Sequence, residues 1–166
     1  MLLRQEHKRL YLMRRKEKEI KLKSEIENII SKADVCRLAL SFDNIPYIVP
    51  VSFGYKDNSV FIHSAAEGKK IEILKKNNNV CLEFDTDTEI IKGEIACKWS
   101  MKYRSVIAFG KAYFIEENIE KRKALEIIMK HYTNGSNEIE FSEEALNKTA
   151  VIEVILTSIF GKQSGF

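Results

Sequence analysis

The stretch FIHSAAEGKKIEIL, residues 61–74, constrains the fold more than any other part of the chain. An apolar strand pattern ends at His63 and Ser64, a turn of small residues follows, and a helix pattern begins with Lys69 and Lys70. The change from alternating to helical spacing predicts a strand–turn–helix unit.

This strand–turn–helix unit also has the chemistry of a phosphate site. The first turn of a helix offers free backbone N–H groups and the positive end of the helix dipole, both of which favour an anion. Ser64 adds a hydroxyl group, and Lys69 and Lys70 add two ammonium groups. Two adjacent lysines on a helix are otherwise typical of a solvated surface, so the phosphate interpretation depends on the rest of the chain.

The remaining pattern is that of an antiparallel β protein with helices at its periphery. Turn signals at Asp43-Asn44 and Asp57-Asn58-Ser59 separate the first strands, and Gly110 predicts a bend or a bulge in a long later strand. The predicted strands are 35–42, 45–55, 60–64, 80–85, 94–98, 102–115 and 151–160. The predicted helices are 24–33, with Ser24 and Glu27 as a capping box, 67–76, 119–132, ended by Gly135, and 141–148, capped by Ser142.

Length and composition indicate one globular domain. The chain has 166 residues, 45% of them hydrophobic, with only 7 Gly and 2 Pro, which is enough to bury a core and argues against disorder. No apolar run approaches the length of about 20 residues that spans a bilayer, and no signal-peptide pattern begins the chain. The three cysteines are widely spaced and odd in number, so we expect no disulfide framework or zinc site, and a cytoplasmic protein.

The charge is concentrated at the beginning of the chain. Residues 1–23 contain nine Lys or Arg and three Glu, a net charge of +6, which leaves −3 for the rest within the total of +3. We therefore predict a basic N-terminal extension, 1–23, and a domain over 24–166. A basic extension could contact nucleic acid or an anionic membrane, but a solvated segment is the simpler interpretation. The body of the chain has no basic stripe with stacking aromatics, so we expect no nucleic-acid or membrane partner.

Seven sequence blocks, taken in order, resemble the pyridoxamine 5′-phosphate oxidase-like superfamily, and most closely its 5-nitroimidazole-resistance branch. The blocks are CRLAL, PYIVPVSFGY, FIHSAAEGKKIEIL, VCLEFD, WSMKYRSVIAFGKA, HYT and AVIEV, and the resemblance extends from about Met13 to Gly161. It implies a mainly β fold, the FMN-binding split β-barrel, antiparallel and Greek-key-like with peripheral α-helices. It also implies a homodimer with FMN in a cleft between the subunits.

The resemblance further implies which residues hold the cofactor. The strand segment Val49, Pro50, Val51 and Ser52 would run along the flavin ring, and Ile62, His63 and Ser64 would approach the ring and the ribityl chain. Lys69 and Lys70 would bind the phosphate. Many relatives have Arg where this chain has Lys69, and Lys lacks the bidentate fork of Arg. A later segment would reach the flavin through Ser105, flanked by Arg104 and Val106.

The resemblance implies an FMN-dependent oxidoreductase that reduces a small electrophile such as a nitroimidazole or another nitroaromatic. The flavin would carry the redox chemistry, and His63 would be the catalytic residue beside it. The alternative is a flavin- or haem-binding module without robust turnover. Trp99 and Tyr103 are expected to be core or dimer-interface aromatics, and His131 a bystander. No metal site is expected.

Overall fold

The computed structural model of the chain describes residues 13–133 and 140–166. Short 3-10 turns lie at Lys16–Lys18 and Ala96–Lys98. The helices are α1 (Lys23–Lys32), α2 (Lys69–Lys76), α3 (Asn118–Thr133) and α4 (Glu143–Lys148). The strands are β1 (Glu19–Ile20), β2 (Cys36–Phe42), β3 (Ile45–Val51), β4 (Phe53–Lys56), β5 (Ser59–Ala65), β6 (Asn79–Ile91), β7 (Ser100–Ile115) and β8 (Thr149–Ser164).

The strands form one antiparallel sheet in the order β3-β2-β6-β7-β8-β5-β4, and β1 pairs with β8. The two ends of this order, β3 and β4, are consecutive in the chain and separated by Ser52 alone. The sheet must therefore curl until its edges meet, which gives a barrel that is split between β3 and β4. The predicted fold class, a mainly β split barrel with peripheral helices, is confirmed.

Two tight turns set the register of the first strands. Asp43 and Asn44 have φ angles of 54° and 61°, and Asp57 and Asn58 have 50° and 65°. Asn and Asp tolerate this left-handed region, and a two-residue turn of this kind matches the twist of a β-hairpin. Both predicted turns are confirmed.

The core follows the period-two pattern of the strands. The inward face of β2 is buried at Cys36, Leu38 and Leu40, and the rings of Phe53 and Phe84 meet edge to face with their centroids 5.0 Å apart. A second, smaller apolar cluster lies where α3 and α4 cover the outer side of β5 and β8. Its buried members are Ala124, Leu125, Ile128, Leu146 and Val151.

The last turn of α3 is hydrogen-bonded to the first residue of β4 and to the residues that follow α1. The Tyr132 hydroxyl accepts a hydrogen bond from the Phe53 N–H at 3.0 Å and donates one to the Asp34 carbonyl at 3.1 Å. The ring nitrogen Nε2 of His131 lies 2.8 Å from the Ala33 carbonyl oxygen. His131 thus has a structural contact that tethers α3 to the end of α1.

A bulge interrupts the pairing of β7 with β8 between Phe109 and Gly110. The extra residue is Thr157 of β8, whose hydroxyl donates to the Phe109 carbonyl at 3.1 Å. A Cβ atom on Gly110 would lie 2.5 Å from the Ile155 carbonyl oxygen. The predicted irregularity at Gly110 is confirmed, and the close approach of β8 requires glycine there.

Two local predictions are wrong. Ser24 does not cap α1, because the helix already begins at Lys23 and its N-cap is Leu22, which makes no side-chain capping bond. Residues 94–98 do not form a strand. They lie in the connection between β6 and β7, where Ala96–Lys98 makes a 3-10 turn.

The predicted strand 45–55 is divided at Ser52, and β3 and β4 pair with different strands. Residues 1–12 of the predicted extension, and Gly135 as a helix end, lie outside the described residues. The division of the chain at residue 24 stays a prediction, although β1 already pairs with β8 at Glu19–Ile20.

Candidate functional site

Two of the predicted site segments meet where the barrel is split. The last pair between β4 and β5 on this side joins Phe53 to Ile62. Because the strands are antiparallel, the next residues along them, Ser52 and His63, lie opposite each other just beyond this last pair. Both residues are exposed, so this edge of the split offers polar side chains to solvent.

The segment before Ser52 presents alternating faces. Val51 is buried and Val49 is half-buried on the inner face of β3, whereas Pro50 is exposed on the outer face. A side chain buried in the core cannot contact a ligand, so Val51 can contribute only backbone groups.

The start of α2 lies beside β3. The Lys69 ammonium nitrogen is 5.2 Å from the centroid of the Tyr47 ring, and Tyr47 shares the inner face of β3 with Val49 and Val51. Tyr47 was not among the predicted site residues. The period-two spacing of Tyr47, Val49 and Val51 is the sequence signal that could have indicated it.

The N-terminus of α2 is open. Its N-cap, Gly68, has a φ angle of 113° and offers no side-chain capping bond, and no atom lies within 4 Å of where a Cβ would be. The first backbone N–H groups of a helix have no partner within the helix. At α2 they are therefore available to an anion that approaches from solvent.

The two lysines of α2 differ in environment. Lys69 is exposed, whereas Lys70 is half-buried, and burial lowers the pKa of its ammonium group. In the part of the chain that the structure describes, no carboxylate lies within ion-pair distance of either ammonium group. A negatively charged ligand would offset the cost of keeping Lys70 charged.

His63 lies on the outer face of β5. It pairs with Val151 of β8 and is exposed, while Ile62 is fully buried and Ser64 is half-buried. Across residues 13–133 and 140–166, the imidazole makes no hydrogen bond. The ring is thus accessible from solvent.

The predicted site residues of β7, Arg104–Val106, which we call the β7 segment, are not in contact with the lysines of α2 or with His63. Arg104 forms a 2.8 Å ion pair with Asp87, and its guanidinium carbon lies 3.7 Å from the centroid of the Phe166 ring. Ser105 is half-buried on the outer face, and Val106 is fully buried. Asp87 and Phe166 were not predicted as partners of Arg104, because no local pattern links residues so far from Arg104 in the chain.

The β7 segment is also distant from the others within one chain. Val51 pairs with Cys36, Cys36 with Phe84, and Phe84 with Val106. These three steps across the sheet separate the β3 segment from the β7 segment by about 14 Å.

The outer face between these segments is already occupied. Arg37 pairs with Glu83 at 2.9 Å and also with Asp85. The chain thus brings the β3, β5 and α2 segments together and leaves Arg104–Val106 apart.

Two features are absent from the described part of the chain. No group of three or more His, Cys, Asp and Glu side chains in residues 13–133 and 140–166 could hold a metal ion. No helix in the same ranges is long and apolar enough to cross a membrane.

Nearly all of the barrel belongs to a segment that matches a known protein family. Residues 23–163 match the family described as pyridoxamine 5′-phosphate oxidase. The chain belongs to this family. The predicted resemblance is confirmed.

One solved relative supports the predicted branch. A candidate 5-nitroimidazole antibiotic resistance protein from Bacteroides thetaiotaomicron is 38% identical, with a TM-score of 0.79. The match covers 87% of this chain and 86% of that protein.

More distant structures share the fold. A flavocytochrome from Azotobacter vinelandii has a TM-score of 0.81 at 16% identity, with 95% of this chain and 74% of that one covered. A FAD- and haem-binding protein from Mycobacterium smegmatis has a TM-score of 0.80 at 16% identity, with 90% and 74% covered. An uncharacterized protein of Rhizobium meliloti is 31% identical over 61 residues, and this chain spans only 40% of that curated relative.

Proposed function

We propose that this protein binds FMN in the split of the barrel and uses it to reduce a small electrophile such as a nitroimidazole or another nitroaromatic. The observation that carries the proposal is the open N-terminus of α2. It presents Lys69 beside the Tyr47 ring of β3 and Lys70 at the next position. Strand β5, which carries the exposed His63, leads into this helix through a short turn.

The residues at this helix terminus fit a phosphate monoester. Such a group carries nearly two negative charges at neutral pH, which match two ammonium groups that have no carboxylate partner among the described residues. Free N–H groups and the helix dipole add to this attraction. Helix termini also bind the internal diphosphate of dinucleotides, so parallel titrations with FMN and FAD test the choice of flavin.

The substrate class rests on the Bacteroides relative and on the position of His63. Bound flavin supplies hydride or single electrons to a substrate. His63, exposed beside the split, carries an imidazole that can act as a proton donor and can hydrogen-bond a substrate that becomes anionic.

We also propose that the site is completed in a homodimer. Arg104–Val106 lie about 14 Å from the β3 segment across the sheet, so one flavin meets both sets most simply if a second copy supplies the β7 segment. Besides the Arg37 ion pairs, the outer face of the sheet carries exposed apolar side chains, Ile48, Ile107 and Ile155, which a second copy could cover. A cytoplasmic location stays a prediction from the sequence.

Replacing Lys69 and Lys70 together by Ala tests the cofactor site. Each charge-assisted hydrogen bond contributes roughly 1.5–3 kcal/mol, so we expect FMN affinity to fall by on the order of a hundredfold or more. Thermal stability of the apoprotein should change little, because neither ammonium group forms an ion pair within the described residues.

The matched control is Lys75→Ala with Lys130→Ala, which removes the same charge from exposed positions outside the split. FMN affinity is measured by quenching of flavin fluorescence on titration. Equal affinity of the double variant and the control would show that the phosphate binds elsewhere.

Replacing His63 by Ala tests the reductase activity. We expect FMN binding to remain and the turnover of a nitroimidazole, with NADH or NADPH as the electron source, to fall by about tenfold or more. His63→Gln keeps a hydrogen-bond donor but cannot carry the proton, so it separates the two roles. Turnover at the parent rate in both variants would leave His63 without a catalytic role.

The alternative function, a flavin- or haem-binding module without robust turnover, is favoured by one observation. The exposed His63 imidazole makes no hydrogen bond within the described residues and could serve as an axial ligand to haem iron. A Soret band in the absorbance spectrum after incubation with haemin, lost in His63→Ala, would support the module. Flavin absorbance with nitroimidazole turnover would support the reductase.

A further inference from the structure

A two-stranded ribbon extends beyond the barrel. The last pair between β2 and β6 is at Phe84, and the last pair between β8 and β7 is at Tyr103. Beyond these points β6 and β7 pair only with each other, from Glu89 with Lys102 to Ile91 with Ser100. We call residues 89–102 the arm.

The arm carries large apolar side chains into solvent. Ile90 is 60% exposed, Ile95 55%, Trp99 51% and Met101 49%. A two-stranded ribbon without a covering layer is at best marginally stable in water, and an exposed apolar patch of this kind is typical of a surface that binds another protein. The sequence left Trp99 as either a core or an interface residue, and its exposure excludes the core.

The apolar face of the arm continues the outer face of the barrel. Along β7, Met101, Tyr103, Ser105 and Ile107 alternate onto one side. The register shift near the base of the arm places its extra residue on β6, between Thr86 and Glu89, so β7 keeps its alternation. The face that carries Ser105 therefore runs without a break into the arm.

We propose that the arm lies against a second copy of this chain, where Trp99, Met101 and Ile90 are buried, and so fixes Ser105 of one copy against the other. The inference rests on the proposed homodimer, since the apolar face of the arm is continuous with the face assigned to that interface. It also explains why a ribbon with few polar contacts of its own can hold its shape.

Trp99 gives a direct measurement, because it is the one tryptophan in the 166 residues. We expect its fluorescence to be shielded from acrylamide in the dimer, and the shielding to be lost, with a red shift of the emission, as the protein is diluted into monomers. Flavin content is held constant across the series, because flavin also quenches tryptophan.

A charge on the arm tests the contact independently. Met101→Glu should raise the dissociation constant of the dimer by about tenfold or more, since a carboxylate would be buried without a partner. The control is Ile119→Glu, which places the same charge at an exposed isoleucine of α3 and should leave the dimer intact. Both are measured by sedimentation on the FMN-loaded protein.

The outcomes separate the two proposals. A protein that is monomeric at every concentration overturns the homodimer and the arm contact with it. A dimer in which Trp99 remains equally accessible on dilution, and in which Met101→Glu behaves like Ile119→Glu, overturns the arm contact alone.

Discussion

The ammonium group of Lys70 is held in an environment that disfavours its charge. It is half-buried at the start of α2, and burial lowers the pKa of Lys70 from its ordinary value of 10.5. In the free protein, Lys70 therefore loses its proton at a lower pH than in the unfolded chain. A bound phosphate acts in the opposite direction, because it stabilises the ammonium form.

This opposition predicts how pH affects FMN binding. As the pH rises through the lowered pKa of Lys70, FMN affinity should fall, because binding then requires uptake of a proton. Between the lowered pKa and 10.5, the free energy of unfolding of the apoprotein should rise with pH. In this window the unfolded chain binds more protons at Lys70 than the folded protein does. Titrations of FMN and denaturant unfolding at stepped pH measure the two trends.

Lys70→Arg is the control, because a guanidinium stays charged throughout this range. Its FMN affinity should lose the part of the pH dependence that comes from residue 70. Identical pH profiles for Lys70→Arg and the parent would contradict a role for the Lys70 proton in binding.

At the scale of residues, the sequence predicted what is local. Ser64, Lys69 and Lys70 could be assigned to one site because they lie within a single strand–turn–helix unit. The ion pair of Arg104 with Asp87 and its contact with Phe166 could not be predicted. Those partners are brought together by strand pairing over long sequence separations, which no local pattern records.

At the scale of elements, a capping residue in the sequence predicted the start of a helix correctly only where strand pairing did not already fix the neighbouring chain. The Ser142 cap is confirmed, since its hydroxyl oxygen accepts from the Ala145 N–H at 3.2 Å. Ser24 carried the same signal, but the chain leaves β1 just before α1, and the Leu22 carbonyl already accepts from the Glu25 and Ile26 N–H groups. Tertiary pairing thus decided where that helix begins.

The arm is the element that local reasoning described least well. Strand 80–85 was predicted too short because the polar run at 85–89 interrupts its apolar alternation before Ile90. Without alternating apolar residues, a strand lacks the period-two pattern by which strands are found.

At the scale of the whole molecule, the closure of the barrel sets the composition of the site. The end of β3 meets β5 and α2 because Ser52 joins the two edges of the sheet, while β7 lies in the middle of the strand order. The sequence resemblance implied all four segments as one site. The fold divides them into two sets, the β3, β5 and α2 segments and the β7 segment. In a twofold-symmetric dimer, each set of one chain would meet the other set of its partner, which gives two complete sites.

Mixing two defective variants tests this division. The first is the Lys69→Ala, Lys70→Ala double variant, and the second is Ser105→Phe, which fills the outer face of β7 at the position assigned to the flavin. Each alone should bind FMN weakly. If the two sets come from different copies, a mixed dimer has one intact site and one doubly altered site, so random exchange restores about a quarter of the sites. Flavin content after denaturation, exchange and refolding of the mixture measures this, with light scattering to confirm that both variants form dimers.

Mixing the double variant with Ser64→Phe, which alters the same set, should restore none. No recovery with Ser105→Phe either would mean that one copy supplies both sets.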